Sequence, residues 1–416
     1  MSVNSPAPSS ALSPASSTNP DLRKRRKRNS RQLWLRLHLW LGLSIGLLFA
    51  LLGLTGSALV FYPQIDEFFN PQLSVETDCQ HHSLDDIYQA LREAHPERSS
   101  DWRLELPSAQ QSVLTARYMA PAETADETFA PLLVSINPCT LEQTPRFWGQ
   151  TLMTWIYQLH FELLQDLNGR LLLAIVGLLV MVSIMSGVYL WWPNRWSKWP
   201  QALRWRKSQH PMRNNLQLHN LAALYSLPVL TGLVLTGVIL EQPDWFRPIT
   251  ANILPTTTGP DLSVLQSEKH TKNQAHTPIS LEQVLQISQQ SFPDGDVRWL
   301  YVPADTGGIV MVRIFNDDFL HGEASYRFAN NKLWIDRSSG SVVAQRRIRD
   351  ATAGDLFWQW LHPLHNGEAF GLIGKILVFI SGLIPALLFW TGVRRWRQKQ
   401  APKPKPKPKS KLKPQC

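Results

Sequence analysis

Four apolar runs, Leu39–Tyr62, Leu171–Trp192, Leu216–Leu240 and Phe370–Val393, constrain this chain more than any other feature in it. At about 1.5 Å of rise per residue, each is long enough to cross a hydrocarbon core of roughly 30 Å as one helix. None carries a charge at its centre. Arg170 and Lys375 stand near run ends, where long basic side chains reach the interface. Nine Trp residues, Trp34 and Trp396 among them, fall at the run boundaries, as aromatic belts do. The pattern predicts a multi-pass membrane α-helical protein. The first run follows the basic stretch Arg23–Arg28 but is longer than a signal-peptide core, so it reads as an uncleaved anchor.

Charge predicts the orientation. Residues 1–37, 193–217 and 394–416 together hold 24 of the 42 Lys and Arg residues and a single acid, Asp21. Flanks rich in Lys and Arg stay in the cytoplasm. Both termini are therefore expected in the cytoplasm, and the net charge of +10 reports topology, with no nucleic-acid partner. The expected order begins with a disordered basic arm (1–30), a first span (31–62) and an external unit (63–150). A turn of helix with the second span (151–192) and a basic loop (193–215) come next, then a third span (216–240) and a second external unit (241–350). Another helix turn with the fourth span (351–397) and a Lys/Pro-rich tail (398–416) complete it.

The chain repeats itself. Shifting the first run by 181 places Leu37-His38 on Leu218-His219 and Thr55-Gly56 on Thr236-Gly237. Shifting the second by 205 places Leu159-His160 on Leu364-His365, Gly169-Arg170 on Gly374-Lys375 and Gly187 on Gly392. The external units match at a shift of 197, from Leu84-Asp85 and Trp102 to Leu281-Glu282 and Trp299. Each opens with an amphipathic helix capped by Ser83 or Ser280, followed by alternating stretches at Val113–Tyr118, Leu132–Ile136, Ile309–Phe315 and Lys332–Ile335. The fold expected is a four-helix transmembrane bundle built from two parallel helix–domain–helix repeats, with two small α+β external domains. Such repeats are related by a pseudo-twofold axis along the membrane normal.

That axis gives the histidines meaning. His38 and His219 begin the first and third spans, and His160 and His365 precede the second and fourth. A lone histidine at a helix end is commonly a packing or interfacial residue. Two equivalent ones brought to the same depth supply what a six-coordinate haem iron needs, one nitrogen on each side of the porphyrin. Two sites are expected, one near each face. Zinc is a poorer match, since no Cys, Asp or Glu ligand repeats alongside. His362, one helical turn before His365, is either a support or an alternative ligand at the external site; Tyr157 stands at its place in the first repeat. Glycines along the spans, including Gly42, Gly46, Gly53, Gly56, Gly177 and Gly187, serve close helix packing or the approach of a flat ring. Pro228 and Pro385 are read as kinks. Cys79 and Cys139 share one external segment, which permits a disulfide without requiring one. No nucleotide-binding or nucleophile motif stands in a fitting context.

The residues around these histidines resemble the PepSY-associated transmembrane helix family. The resemblance rests on His38 with Trp40-Leu-Gly42 and Thr55-Gly56, and on Leu159-His160 with Ser186-Gly187-Val188-Tyr189-Leu190-Trp191-Trp192-Pro193. His219 with Thr236-Gly237, and Leu364-His365-Asn366-Gly367 with Thr391-Gly392, complete it. It implies PepSY-like external domains and an inner-membrane ferric-siderophore reductase holding two haems b, with His38/His219 and His160/His365 as axial ligands. The implied partners are a ferric siderophore or other iron chelate, the lipid bilayer, and a cytoplasmic or quinol electron donor, with no catalytic acid, base or nucleophile. The competing readings are a non-enzymatic regulator binding a periplasmic peptidase, and a siderophore transporter.

Overall fold

The computed structural model describes residues 20–75, 79–108, 112–127, 129–193, 195–257, 277–305, 307–318 and 323–400. The Lys/Pro tail from 401 onward lies outside them.

The first apolar run is a helix in two pieces. α1 (Pro20–Ser44) and α2 (Gly46–Val60) meet at Ile45 with a bend of 56°. Two expectations are corrected here. The helix starts at Pro20, whose fixed φ suits a first helical position, so residues 20–30 are helical and not part of a disordered arm. The first apolar run is also broken at Ile45, where one helix was expected. Ser44 Oγ donates to the Trp40 carbonyl at 2.7 Å, and a Cβ on Gly46 would stand 2.9 Å from the Phe389 ring; back-bonding serine and a crowded glycine both favour a bend.

After α3 (Tyr62–Phe69) comes the first external unit: α4 (Leu84–Ala94), β1 (Trp102–Glu105), β2 (Leu114–Tyr118), β3 (Leu132–Ile136) and β4 (Gln143–Phe147). α5 (Leu152–Glu162) leads into α6 (Asp166–Trp191), and the short α7 (Trp199–Ala202) precedes α8 (Pro211–Glu241). The second unit holds α9 (Pro243–Ile253), α10 (Leu281–Ser291), β5 (Asp296–Val302), β6 (Ile309–Phe315), β7 (Asn331–Asp336) and β8 (Val342–Arg346). α11 (Ala353–Asn366) then leads into α12 (Gly371–Gln400). α6, α8 and α12 are each long and apolar enough to cross a membrane, and the bent α1–α2 pair makes a fourth candidate. α8 and α12 run through Pro228 and Pro385.

α2 packs on α12, α12 on α8, α8 on α6 and α6 on α1. Glycine stands at two of the helix contacts between the repeats. Gly53 meets the Gly382 backbone and Gly382 meets Ser57, while Gly177 lies against Val238. Gly177 and Gly382 are repeat equivalents, so small residues close both junctions by the same device.

The two external units do not stand as separate domains. They share one eight-stranded antiparallel sheet in the order β4-β3-β2-β1-β5-β6-β7-β8. β1 and β5 would each be an open edge of a four-stranded sheet; pairing them satisfies both rows of backbone groups. Their register sets Trp102 opposite Val302 and Leu104 opposite Leu300, which keeps both apolar faces on one side. α4 and α10 cover that face, and Leu91, Trp102, Leu104, Leu281, Leu300 and Leu333 are fully enclosed there. The helix N-termini exchange caps across the junction. Asp85 accepts from the Leu281 and Glu282 amides at 2.8 and 3.1 Å, and Glu282 accepts from the Leu84 amide at 2.7 Å. Ser83 and Ser280 cap their own helices as expected, each accepting at 3.1 Å. Cys79 and Cys139 form a disulfide that ties the approach to α4 to the turn after β3.

The opposite sheet face is basic. Arg103 lies opposite Arg117, Arg146 opposite Leu133, and Arg313 opposite Lys332, which faces Arg346. Glu105 Oε1 is shared by Arg103 at 2.5 Å and Arg117 at 3.1 Å. Burial works against its charge, but the two guanidiniums outweigh burial and hold the carboxyl below its usual range. Its ionised form therefore stabilises the fold fully above about pH 4.3 and is lost as pH falls toward the depressed folded value. Glu105→Gln leaves buried guanidiniums uncompensated. It is expected to cost about 3–5 kcal/mol of head-domain stability at neutral pH and to flatten the acid limb of a thermal-denaturation series. Asp85→Ala, which uncaps α10 but not α4, is expected to cost only about 1 kcal/mol in the same assay.

Candidate functional site

The sheet passes into the spans through two tight turns. Leu163, Leu164 and Asp166 follow α5 with φ of 53°, 56° and 50°, and Gly367 and Gly371 do the same after α11 with φ of 83° and 57°. A Cβ on Gly169 or Gly374 would collide with the carbonyl of Glu162 or Gly367, so glycine is required at both folds. These turns set α5 against α2 and α11 against α8, with His160 and His365 on the contact sides.

Every one of the four repeated histidines is held through Nδ1 by a hydroxyl on a neighbouring helix. His160 meets Thr55 Oγ1 at 3.0 Å, and His365 meets Thr236 Oγ1 at 2.9 Å. His38 meets Ser186 Oγ at 3.0 Å, and His219 meets Thr391 Oγ1 at 2.8 Å. Each hydroxyl proton is already committed to a carbonyl of its own helix. Thr55 donates to Leu51 at 2.9 Å; Thr236, Thr391 and Ser186 donate to Gly232, Leu387 and Ser183 at 2.8 Å. The hydroxyl oxygen is thus left as an acceptor, and Nδ1 carries the imidazole proton. His38 adds an independent sign: its Nδ1 lies 3.1 Å from the Ser183 carbonyl, which can only accept. Nε2 of each ring is the free lone pair.

The residue after each hydroxyl is glycine. A Cβ on Gly56 would stand 2.8 Å from the His160 ring, on Gly187 3.1 Å from His38, and on Gly237 3.2 Å from His365. Gly392, the fourth, has open space beside it. A hydroxyl–glycine dipeptide therefore seats the ring and sets its tautomer. Sequence reasoning noted these dipeptides as repeat markers and missed their work. The signal was present, because Thr55/Thr236 and Ser186/Thr391 recur at the same two shifts as the histidines.

The rings meet in the expected pairs. The centroids of His38 and His219 are 6.3 Å apart with planes at 88°, and those of His160 and His365 are 6.3 Å apart at 51°. A metal bound on both sides at about 2.0–2.1 Å per nitrogen leaves imidazole centroids roughly 6 Å apart. His362 takes another place. Its ring packs on Phe328 at 4.6 Å, and its Nδ1 lies 3.4 Å from the Asn366 amide nitrogen, which donates to it. That bond sets the proton on Nε2, the reverse of the four paired rings. His81 also stands beside the disulfide, with a ring nitrogen within 4.8 Å of both sulfurs, but bonded sulfurs offer no thiolate.

Each pair is a neutral two-nitrogen donor set inside apolar helices, and it suits a metal whose other coordination positions come with the ligand. The donor chemistry fits a haem iron, which needs two axial nitrogens and brings four. Fold and site together define a duplicated helical membrane protein with histidine pairs near opposite ends of its spans. The chain belongs to the family described as the PepSY-associated TM region, matched over residues 35–399. No curated protein matches it.

Thr236→Val keeps shape but removes the acceptor from His365 Nδ1. Losing the hydrogen-bond partner of a metal-ligating imidazole costs about 10–100-fold in metal affinity. Titrating haemin into apo-protein is expected to show that weakening for Thr236→Val and not for Thr236→Ser.

Proposed function

We propose that this protein is a di-haem b oxidoreductase of the bacterial inner membrane that passes electrons from a cytoplasmic reductant or a quinol to a periplasmic ferric siderophore or related iron chelate. The observation that carries this reading is the meeting of both duplicated histidine pairs with every Nδ1 anchored and every Nε2 free. His38 and His219 would hold one haem, and His160 and His365 the other. When bound, these groups supply one-electron redox chemistry near the two faces of the membrane, at potentials tuned by axial ligation and burial.

The chain's own part is positional. Four hydroxyls hold the imidazole protons on Nδ1, three glycines admit the rings, and the surrounding apolar helices exclude water. His219 and Gly237, which borders His365, are separated by about 27 Å of helical rise on α8, so the two pairs lie at opposite depths. The basic flanks at 1–37, 193–217 and 394–416 support a cytoplasmic placement for the end away from the sheet. The substrate is Fe(III) held by oxygen donors. One electron converts it to Fe(II), a softer ion that hard oxygen ligands hold less well, so iron is released. No side chain has to act as acid, base or nucleophile.

A pyridine haemochrome assay on purified full-length protein is expected to give about two haems b per chain. His38→Ala and His219→Ala are expected to lose the same haem, His160→Ala and His365→Ala the other, and His362→Ala neither, as read by redox titration of the visible spectrum. A colourless protein from haem-replete cells, or losses that cross between the pairs, would reject the reading and leave the peptidase-binding alternative.

A further inference from the structure

The basic sheet face closes over a cleft of about 50 Å³ lined by Tyr62, Asp66, Glu67, Glu105, Arg117, Arg146 and Arg327, with Leu73, Thr115 and Leu133 completing the wall. That volume accommodates roughly three water-sized groups, the size of one carboxylate. Its three carboxylates and three guanidiniums are equal in number but unevenly paired. Asp66 is taken by Arg146 at 3.0 Å, and the single carboxylate of Glu105 serves both Arg103 and Arg117. Arg327 has no carboxylate at ion-pair distance among the described residues; its guanidinium lies 5.7 Å from the Tyr62 ring centroid. The Nε atoms of Arg117 and Arg146 are buried without hydrogen-bond partners among the described residues, and Arg117 is only 6% exposed. Glu67 at the wall forms no ion pair with a described residue. Guanidiniums with spare donors, one of them without a carboxylate at ion-pair distance, can take an incoming anion.

A run of aromatic contacts leads from the cleft toward His160. Tyr62 stacks on Trp148 at 6.3 Å, Trp148 meets Tyr157 edge-on at 5.1 Å, and Tyr157 stands one helical turn before His160 on α5. Arg117 lies over the Trp148 ring at 5.2 Å, so the charged wall and the aromatic contacts form one body.

We propose that this cleft seats a carboxylate arm of the ferric chelate, so that the acceptor is a carboxylate-bearing chelate docked above His160 through Arg327, Arg117 and Arg146. The assignment rests on the reductase reading for what the ligand is used for, but not for whether it binds. The chelate body stays outside the cleft, which is too small for it, and its anionic arm pairs with Arg327, which Glu105 and Asp66 leave without a carboxylate partner.

Arg327 is the informative position, because removing it orphans no buried carboxylate. Binding is measured by titration calorimetry on full-length protein in neutral-lipid nanodiscs, without reductant, using ferric citrate and an uncharged ferric trihydroxamate. Arg327→Gln is expected to weaken ferric citrate at least tenfold, Arg327→Lys to recover most of that loss, and the trihydroxamate to respond to neither. Equal loss for both chelates, no loss for citrate, or no citrate binding by the wild type overturns the site. So does an Arg327 effect confined to phosphatidylglycerol, which would assign the cleft to a lipid phosphate. Haem content is recorded on the same samples. Two haems without an Arg327 effect reject the cleft and spare the electron-transfer reading; an Arg327 effect in haem-free protein does the reverse.

Discussion

An open sheet edge cannot be left in the middle of a folded protein, and each half of this chain has one. β1 ends one four-stranded set and β5 ends the other, each with a row of backbone donors and acceptors unpaired. Pairing them antiparallel satisfies both rows and imposes a twofold relation on everything attached. The reciprocal caps of Asp85 and Glu282 cross the same junction, and Gly53–Gly382 and Gly177–Val238 repeat it among the helices. The histidine pairs are the chemical consequence: one ring from each repeat, brought together twice.

The pairs are built for a lone pair in a fixed place. A histidine free to exchange tautomers would present a proton to a metal for part of the time. Here a hydroxyl whose own hydrogen is committed to a helix carbonyl can only accept, so Nδ1 must donate. The support is reciprocal within a repeat. α2 holds the histidine that precedes α6, and α6 holds the histidine of α1. The same exchange links α8 with α11 and α12. His362 shows the contrast, with a neighbouring amide that donates to Nδ1 and sets the opposite tautomer.

The head domain divides its two faces between two tasks. One is a conventional apolar core under α4 and α10. The other carries buried arginines at the cost of desolvating them, tolerable because Glu105 and Asp66 compensate part of the charge. That face lies over the helix tops, with the Tyr62–Trp148–Tyr157 contacts leading toward His160.

The spans, the repeat, the four histidines and the caps at Ser83 and Ser280 were legible in the sequence, because periodicity, length and recurrence are local or statistical properties of a chain. β2, β3, β6 and β7 were legible too, by alternation in a buried sheet. β1 and β5 were not read as strands, since what makes them central is each other, and no local pattern announces a partner nearly two hundred residues away. The break at Ile45 depended on Phe389 from the last helix. The repeat already favoured His365 over His362, and the structure turns His365 toward His160 while His362 packs on Phe328. Sequence determined which groups were available. Tertiary structure decided which of them face one another, because hydrogen-bond direction, tautomer and charge balance are properties of neighbours in space.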